Sequence, residues 1–476
     1  MSGSDSVVIV GGGPAGLACG IELLRSDADR EVTVLEREPS PGGIAGGFSR
    51  GGLDYDYGSH RIHPSVEGRV LAFLTGLPGL ELRRKRRNGR ILLGGRLVRF
   101  PPSPVDALVK LPPGLSMRIL GDQIGGLFRS GSTSVAPGSF SEAVESGTGR
   151  TMAHAFYIPY TKKLWGLPAD EISSFQAARR VSSARPGGLL TKVLGGLPLV
   201  SRFDPSRFFS YPAGGFGALA EALAREFRRL GGTLRTDSEV VSVSYEGASM
   251  KATTSDGFSR TAGRLVWSAP LDALASSFTA AAPAEVLAAA GRLSYRSMVL
   301  LYVQIESGPY TRFDAHYFPD GSIRFSRMSE PRNYLCGPAT DAGRGRTGLC
   351  LELPCDMGGD DWKAGPEVLY ERLLEDLRGS PLPPPEAVGD IWVRRLTHAY
   401  PVYRMGFEQD LRTVSEWSLS DPRLVLTGRQ GLFAHDNLHH AIETGLAAAD
   451  CLAGPGFDTD SWRKRLEGFR LHRVSD

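Results

Sequence analysis

Cysteine is scarce, with 5 in 476 residues. Cys19, Cys336, Cys350, Cys355 and Cys451 form no CxxC pair, and no histidine stands at zinc spacing beside them. A disulfide scaffold is excluded, and reduced thiols in a cytoplasmic protein are the expectation. A surplus of one charge is also missing. Fifty-five basic residues face 52 acidic ones, a net charge of +3, which gives no reason to expect a nucleic-acid partner. No window approaches eighteen consecutive apolar residues, so no membrane span is expected. The start, Met1 to Ser6, lacks the basic flank and apolar run of a signal peptide. Internal repeats are absent, and so is a Gly-X-Y period.

What is present is a globular composition, 41% apolar and 22% charged, with 59 glycines and 32 prolines that imply many tight turns. The length suggests about three units. Val7–Val10 is a β-branched run with no polar break, the mark of a strand buried on both faces. Gly11 to Gly16 follows, then helical apolar spacing from Leu17 to Leu24. A second buried strand ends in Glu36. Further along, Arg83–Pro101 reads as a hairpin around Gly94-Gly95. The basic run Arg83–Arg87 reads as a solvated strand edge. Ala218–Leu230 is an amphipathic helix stopped by Gly231-Gly232. Val240–Val243, Leu265–Trp267, Met298–Ile305 and Leu424–Thr427 read as strands, and Pro366–Arg378 and His439–Leu452 as helices.

The motif Gly11-x-Gly13-x-x-Gly16 lies directly after a buried strand and opens a helix, as dinucleotide binding requires. Gly11 permits the tight turn, Gly13 lets a pyrophosphate approach the backbone, and Gly16 lets helix and strand pack closely. The helix start, at Pro14 and Ala15, presents amides and a positive dipole end to a dianion. Glu36, 20 residues beyond Gly16, suits ribose hydroxyls and repels a 2′-phosphate. A second glycine turn at Gly42-Gly43 stands where an NAD enzyme would continue into another helix and strand. No second strand–GxGxxG–helix unit exists. Both point to FAD, with no separate nicotinamide site.

The Gly11–Gly16 turn, Glu36, Gly42-Gly43, Tyr211-Pro-Ala-Gly214-Gly215, Val240 and Gly428-Arg429 resemble the FAD-dependent amine oxidase and protoporphyrinogen oxidase superfamily. Three segments resemble its UDP-galactopyranose mutase-like branch: Tyr57-Gly-Ser-His60-Arg-Ile-His63, Tyr160-Thr-Lys-Lys-Leu-Trp165-Gly, and Gly428-Arg-Gln-Gly431. The resemblance implies an α/β fold: a GR2-type Rossmann-like FAD-binding domain from 1–75, 208–275 and 406–476, interleaved with an α+β substrate domain from 76–207 and 276–405. Arg37, Ile44, Gly58, Ser59, Asn437 and Leu438 join the expected cofactor contacts, and Val240 would meet adenine through its backbone. His60 is expected against the flavin near N5 and Trp165 on its substrate side. His63 and His435 complete the expected catalytic group, with Arg327. Arg180, Arg327, Asn333, Tyr334 and Phe433 are the expected substrate contacts, Arg180 and Arg327 as forks for a diphosphate or carboxylate. Alternation would point Phe325 and Arg327 to the same side. No metal site is expected, because no third ligand converges on His60 and His63.

Three positions depart from the mutases. Phe433 and His435 stand where two phosphate-binding tyrosines would be, and Asn437 where an aspartate would be. Net hydride transfer from a polar, sugar-like or anionic metabolite is therefore the first expectation. A pyranose–furanose isomerisation on reduced flavin and a non-catalytic flavoprotein are the alternatives. The partner expected is a small molecule, and homo-oligomerisation stays open. An Ala-, Arg- and Gly-heavy composition fits a high-GC bacterial source and specialised metabolism.

Overall fold

Val7–Val10 is buried at every residue because it takes the centre of a five-stranded parallel sheet. The strand order is Leu424–Leu426, Arg264–Trp267, Val7–Val10, Val32–Leu35, Thr233–Arg235. Five short strands from distant parts of the sequence thus meet in one Rossmann-like layer. The computed structural model describes residues 6–66, 68–100, 109–128, 138–181, 207–278, 282–334, 345–454 and 456–474. Helices Pro14–Ser26, Gly215–Arg229 and Leu438–Leu452 pack together over the sheet, with Leu17, Ile21, Phe216, Phe227, Ile442 and Leu446 in one core. Close packing is built in at Gly445, where a Cβ would strike the backbone of Ala15.

A three-stranded antiparallel meander, Val240–Glu246, Ser249–Thr254 and Ser259–Ala262, flanks this layer. The second large sheet has seven strands. Val388–Pro401, Tyr295–Ile305, Thr347–Cys355, Arg327–Ser329 and Ala315–Tyr317 run antiparallel. Gly89–Leu93 joins Ala315–Tyr317 in parallel, and Arg96–Phe100 closes the edge, so the sheet is mixed. Helices Phe140–Thr148, Ile158–Trp165 and Ser174–Arg180 form a smaller cluster around Phe140, Leu164 and Trp165.

The hairpin around Gly94-Gly95 forms, but it uses only Gly89–Leu93 and Arg96–Phe100. Leu82–Arg86 pairs instead with Phe208–Pro212 in a separate ribbon. The basic run is therefore not one solvated edge: Arg87 is buried, while Arg84 and Arg86 face solvent. No helix is long and apolar enough to cross a membrane among the described residues.

Candidate functional site

The carboxyl ends of the parallel strands face a long, open cleft. Gly11 has φ +103°, the left-handed region that glycine alone enters cheaply. A Cβ at Gly16 would overlap the carbonyl of Gly11. At Gly13 a Cβ would meet nothing within 4 Å, because that position faces the open cleft. Gly13 also precedes Pro14 at the start of the Pro14–Ser26 helix, so the helix N-terminus points at the cleft. Glu36 is pinned at its strand end: its Oε2 accepts from the Gly12 N–H at 2.6 Å and its Oε1 from the Glu38 N–H at 2.8 Å. Burial pushes its pKa upward, against these two backbone bonds.

Pro14, Ala15, Arg37, Gly43, Ile44, Val240, Gly428, Arg429, Asn437 and Leu438 also line the cleft. Gly42 does not. It stands behind the wall with φ +118°, donates to the Gly12 carbonyl at 2.9 Å, and lies so close to Ala220 that a Cβ would sit 2.7 Å from that residue's Cβ. Arg394 Nε, Arg429 Nε and Gln430 Oε1 are buried without partners, and all three residues line the cleft. A glycine cradle at a helix N-terminus, a fixed carboxylate and orphaned polar atoms together fit a dinucleotide cofactor.

A second, smaller chamber adjoins the cleft and shares Ile44, His60, Leu396, Arg429, Asp436, Asn437 and Leu438 with it. Gly58 and Ser59 line only this chamber. Four arginines line it, Arg61, Arg180, Arg327 and Arg429, beside two acids, Glu352 and Asp436, and the Arg61 guanidinium pairs with Asp314 at 3.5 Å. Arg327 and Glu352 are cross-strand register partners. Arg327 Nε and Nη2 each donate to Glu352 at 2.9 Å, and Glu352 also accepts from the Ser59 N–H at 2.8 Å. The fork of Arg327 is thus committed to Glu352, which in turn holds the Gly58–His60 turn. Among the described residues Arg429 donates to two backbone carbonyls, Asp436 at 2.7 Å and Ala399 at 2.6 Å. Burial lowers its pKa. Arg180 lies over the Trp165 ring, 5.6 Å from its centroid.

His60 Nε2–H donates to the Tyr57 carbonyl at 2.9 Å. Burial and the Arg327 charge bring its pKa down to about 4, so the ring is neutral at pH 7. His435 stacks on Tyr400, 5.0 Å between centroids, and burial together with nearby arginines holds it well below the usual histidine value.

Five expected site residues stand elsewhere. His63 faces Ser65, its Nδ1 2.7 Å from the hydroxyl, and lines neither space. Trp165 is a core residue packed on Phe140, Tyr400 and His435, because the end of its helix turns the indole inward. Asn333 spends its amide on the carbonyls of Thr311 and Phe313, at 2.9 and 2.7 Å. Tyr334 lies behind the turn, its hydroxyl 2.8 Å from the Ser59 hydroxyl. Phe433 has φ +48° and packs into an aromatic core with Tyr295, Tyr403 and Phe407. Phe325 does not share the cleft side of Arg327. It is buried in the apolar core of the seven-stranded sheet, since the strand begins only at Arg327.

The chamber also holds residues the sequence analysis missed: Arg61, Tyr160, Tyr317, Glu352 and Tyr400. Glu352 carried a signal, a lone acid in the apolar strand Leu349–Pro354. The phenols did not, since they come from three separate elements. The chamber thus carries three phenols from other elements, although Phe433 and His435 stand where the mutases have two tyrosines.

Residues 14–453 match the family model for flavin containing amine oxidoreductases. A reduced UDP-galactopyranose mutase has a similar structure, with a TM-score of 0.79 and 20% identity over 99% of this chain and 98% of that one. A candidate protoporphyrinogen oxidase from Exiguobacterium sp. 255-15 gives 0.71 and 18% over 94% and 99%. Cyclohexylamine oxidase from Brevibacterium oxydans IH-35A gives 0.64 and 15% over 94% and 99%. In sequence, a phytoene dehydrogenase from Streptomyces griseus is 54% identical over 54 residues. That match spans 11% of this chain and 10% of the relative.

Proposed function

Because the chain belongs to the flavin-containing amine oxidoreductase family, we propose that it is an FAD-dependent oxidoreductase that takes a hydride from a small, polar, anionic metabolite. The observation that carries this reading is the chamber beside the cofactor cleft, lined by four arginines and two acids. The carboxylates leave it cationic, because Glu352 is matched by Arg327 and Asp436 by Arg179 from outside the chamber, at 2.6 Å. Arg61 is matched by Asp314 at 3.5 Å, so Arg180 and Arg429 are the guanidiniums that favour an anion in a space of low dielectric, where charge counts for more than in water.

FAD, held by Gly11, Gly13, Glu36, Gly43 and the Asn437–Leu438 helix start, would supply the two-electron acceptor. The chain's own part is positioning. Glu352 ties the Ser59 amide to the strand of Arg327, so the turn bearing His60 keeps a fixed height over the junction of cleft and chamber. His60, neutral and donating to Tyr57, carries no charge into that junction and presents its other ring nitrogen as an acceptor. Tyr160, Tyr317 and Tyr400 supply phenols for hydroxyl-bearing substrates.

Those phenols also support a second reading, a redox-neutral sugar rearrangement on reduced flavin. Anaerobic titration of the FAD-loaded protein with a panel of anionic polyols and sugar nucleotides separates the two. Bleaching of the flavin without added reductant is the expected result. Turnover that needs prereduction by dithionite and consumes no oxidant would replace the first reading with the second.

A further inference from the structure

The segment that follows the Thr459–Phe469 helix returns to the chamber. Val474 is 9% exposed and forms part of the chamber lining. Its backbone N–H donates to the Arg179 carbonyl at 2.9 Å. The side chain of Arg179 is buried and reaches four places. Nε donates to the His472 carbonyl at 3.2 Å, Nη2 to the Phe469 carbonyl at 3.2 Å and to Asp436 at 2.6 Å, and Nη1 to the Tyr403 hydroxyl at 3.3 Å. Through this one residue the segment is joined to Asp436, which lines cleft and chamber alike, and lies next in sequence to Arg180.

His472 supplies the second anchor. Its Nδ1 lies 3.4 Å from Asp436 and its Nε2 3.4 Å from Glu443, with the ring stacked on His440 at 4.1 Å. Carboxylates at both nitrogens require both to carry protons, and they raise its pKa to about 9. Asp436, His440 and His472 lie close enough together to ligate a metal ion, but the Arg179 guanidinium already occupies an Asp436 oxygen. The cluster is an anchor.

We propose that the Leu471–Val474 segment sets Val474 into the wall of the substrate chamber, that Val474 determines which solutes reach the flavin, and that Arg179 and His472 are the positioning residues that seat it. The proposal rests on the reading of this chamber as the substrate side, yet its test requires no turnover.

Flavin emission of the FAD-loaded protein is quenched with iodide, an anion, and with acrylamide, which is neutral. Val474→Asp places a carboxylate in the cationic chamber, so the iodide quenching constant should fall by roughly threefold or more while that for acrylamide stays level. Val474→Gly opens the wall and His472→Ala loosens it, and each should raise the acrylamide constant by about twofold, at unchanged FAD content. Both constants equal to wild type in all three variants would overturn the proposal. A lowered melting temperature with unchanged quenching would overturn it too, by showing the segment to be structural only. Failure of every candidate metabolite to bleach the flavin would count against the redox reading and leave this result intact.

Discussion

The glycine-lined cleft and the arginine-lined chamber share a boundary but are built by different means. The cleft is made chiefly of backbone: a glycine turn, a helix N-terminus, and a carboxylate held by two amides. The chamber is made of side chains whose positions depend on one another, as in the Arg327–Glu352–Ser59 chain and the Arg179–Asp436–His472 knot. Backbone cradles tolerate loss of single side chains around them. A side-chain network does not, because each deletion strands a buried partner.

The largest effect should come from Gly13→Val. A Cβ there meets no protein atom, so the apo fold should survive with a nearly unchanged melting temperature. The branched side chain stands where a pyrophosphate must approach, and FAD occupancy after purification should fall below about a tenth. Gly16→Val sharpens the contrast: it collides with the Gly11 carbonyl, so fold and cofactor should be lost together.

Next is Glu352→Gln. It leaves Arg327 buried without its counter-charge, and removal of one partner of a buried pair costs about 3–5 kcal/mol. A chemical-denaturation midpoint shifted well down, with FAD still bound at saturating cofactor, is the expected outcome. Equal stability would show that the pair is solvated and that the turn is held by other means.

His472→Ala should have a smaller effect, and one that depends on pH. The folded-state pKa of His472 is raised from 6.5 to about 9. Its stabilising contribution is therefore complete below pH 6.5 and disappears as pH rises through 9. The variant should be less stable than wild type by on the order of 2–3 kcal/mol at pH 6, with the gap closing toward pH 9.5. A gap that stays constant with pH would remove the charged anchor from the account. At the bottom of the scale, His63→Gln should change stability by less than about 0.5 kcal/mol and leave FAD content untouched, since His63 touches neither space.

The same contrast decides what could be read in the sequence. Val7–Val10, the Gly11–Gly16 turn and Glu36 are contiguous within 30 residues, and each residue type has one local reason to be there. The helix and strand positions around Ala218, Leu265 and Leu424 follow from burial patterns of the same local kind. Arg327 and Glu352, by contrast, meet only through strand register across 25 residues, and Tyr160, Tyr317 and Tyr400 through three separate elements. Phe433 was misplaced because a motif position was equated with a position in space. The left-handed φ at that residue turns the ring away from the site and into the Tyr295–Tyr403–Phe407 core. Nothing in the spacing of Arg179, Asp436 and His472 announces that they converge.

The central claim is that the chamber binds an anion through guanidiniums beside the flavin, and Arg180 tests it most directly. Arg180→Gln removes the charge and leaves a shorter, neutral amide. Rapid anaerobic mixing of wild type and variant with the metabolite that bleaches the wild-type flavin would give the substrate dissociation constant and the limiting rate of reduction separately. A dissociation constant raised at least about tenfold, with FAD content and melting temperature unchanged, is the predicted result. A dissociation constant equal to wild type would contradict the claim.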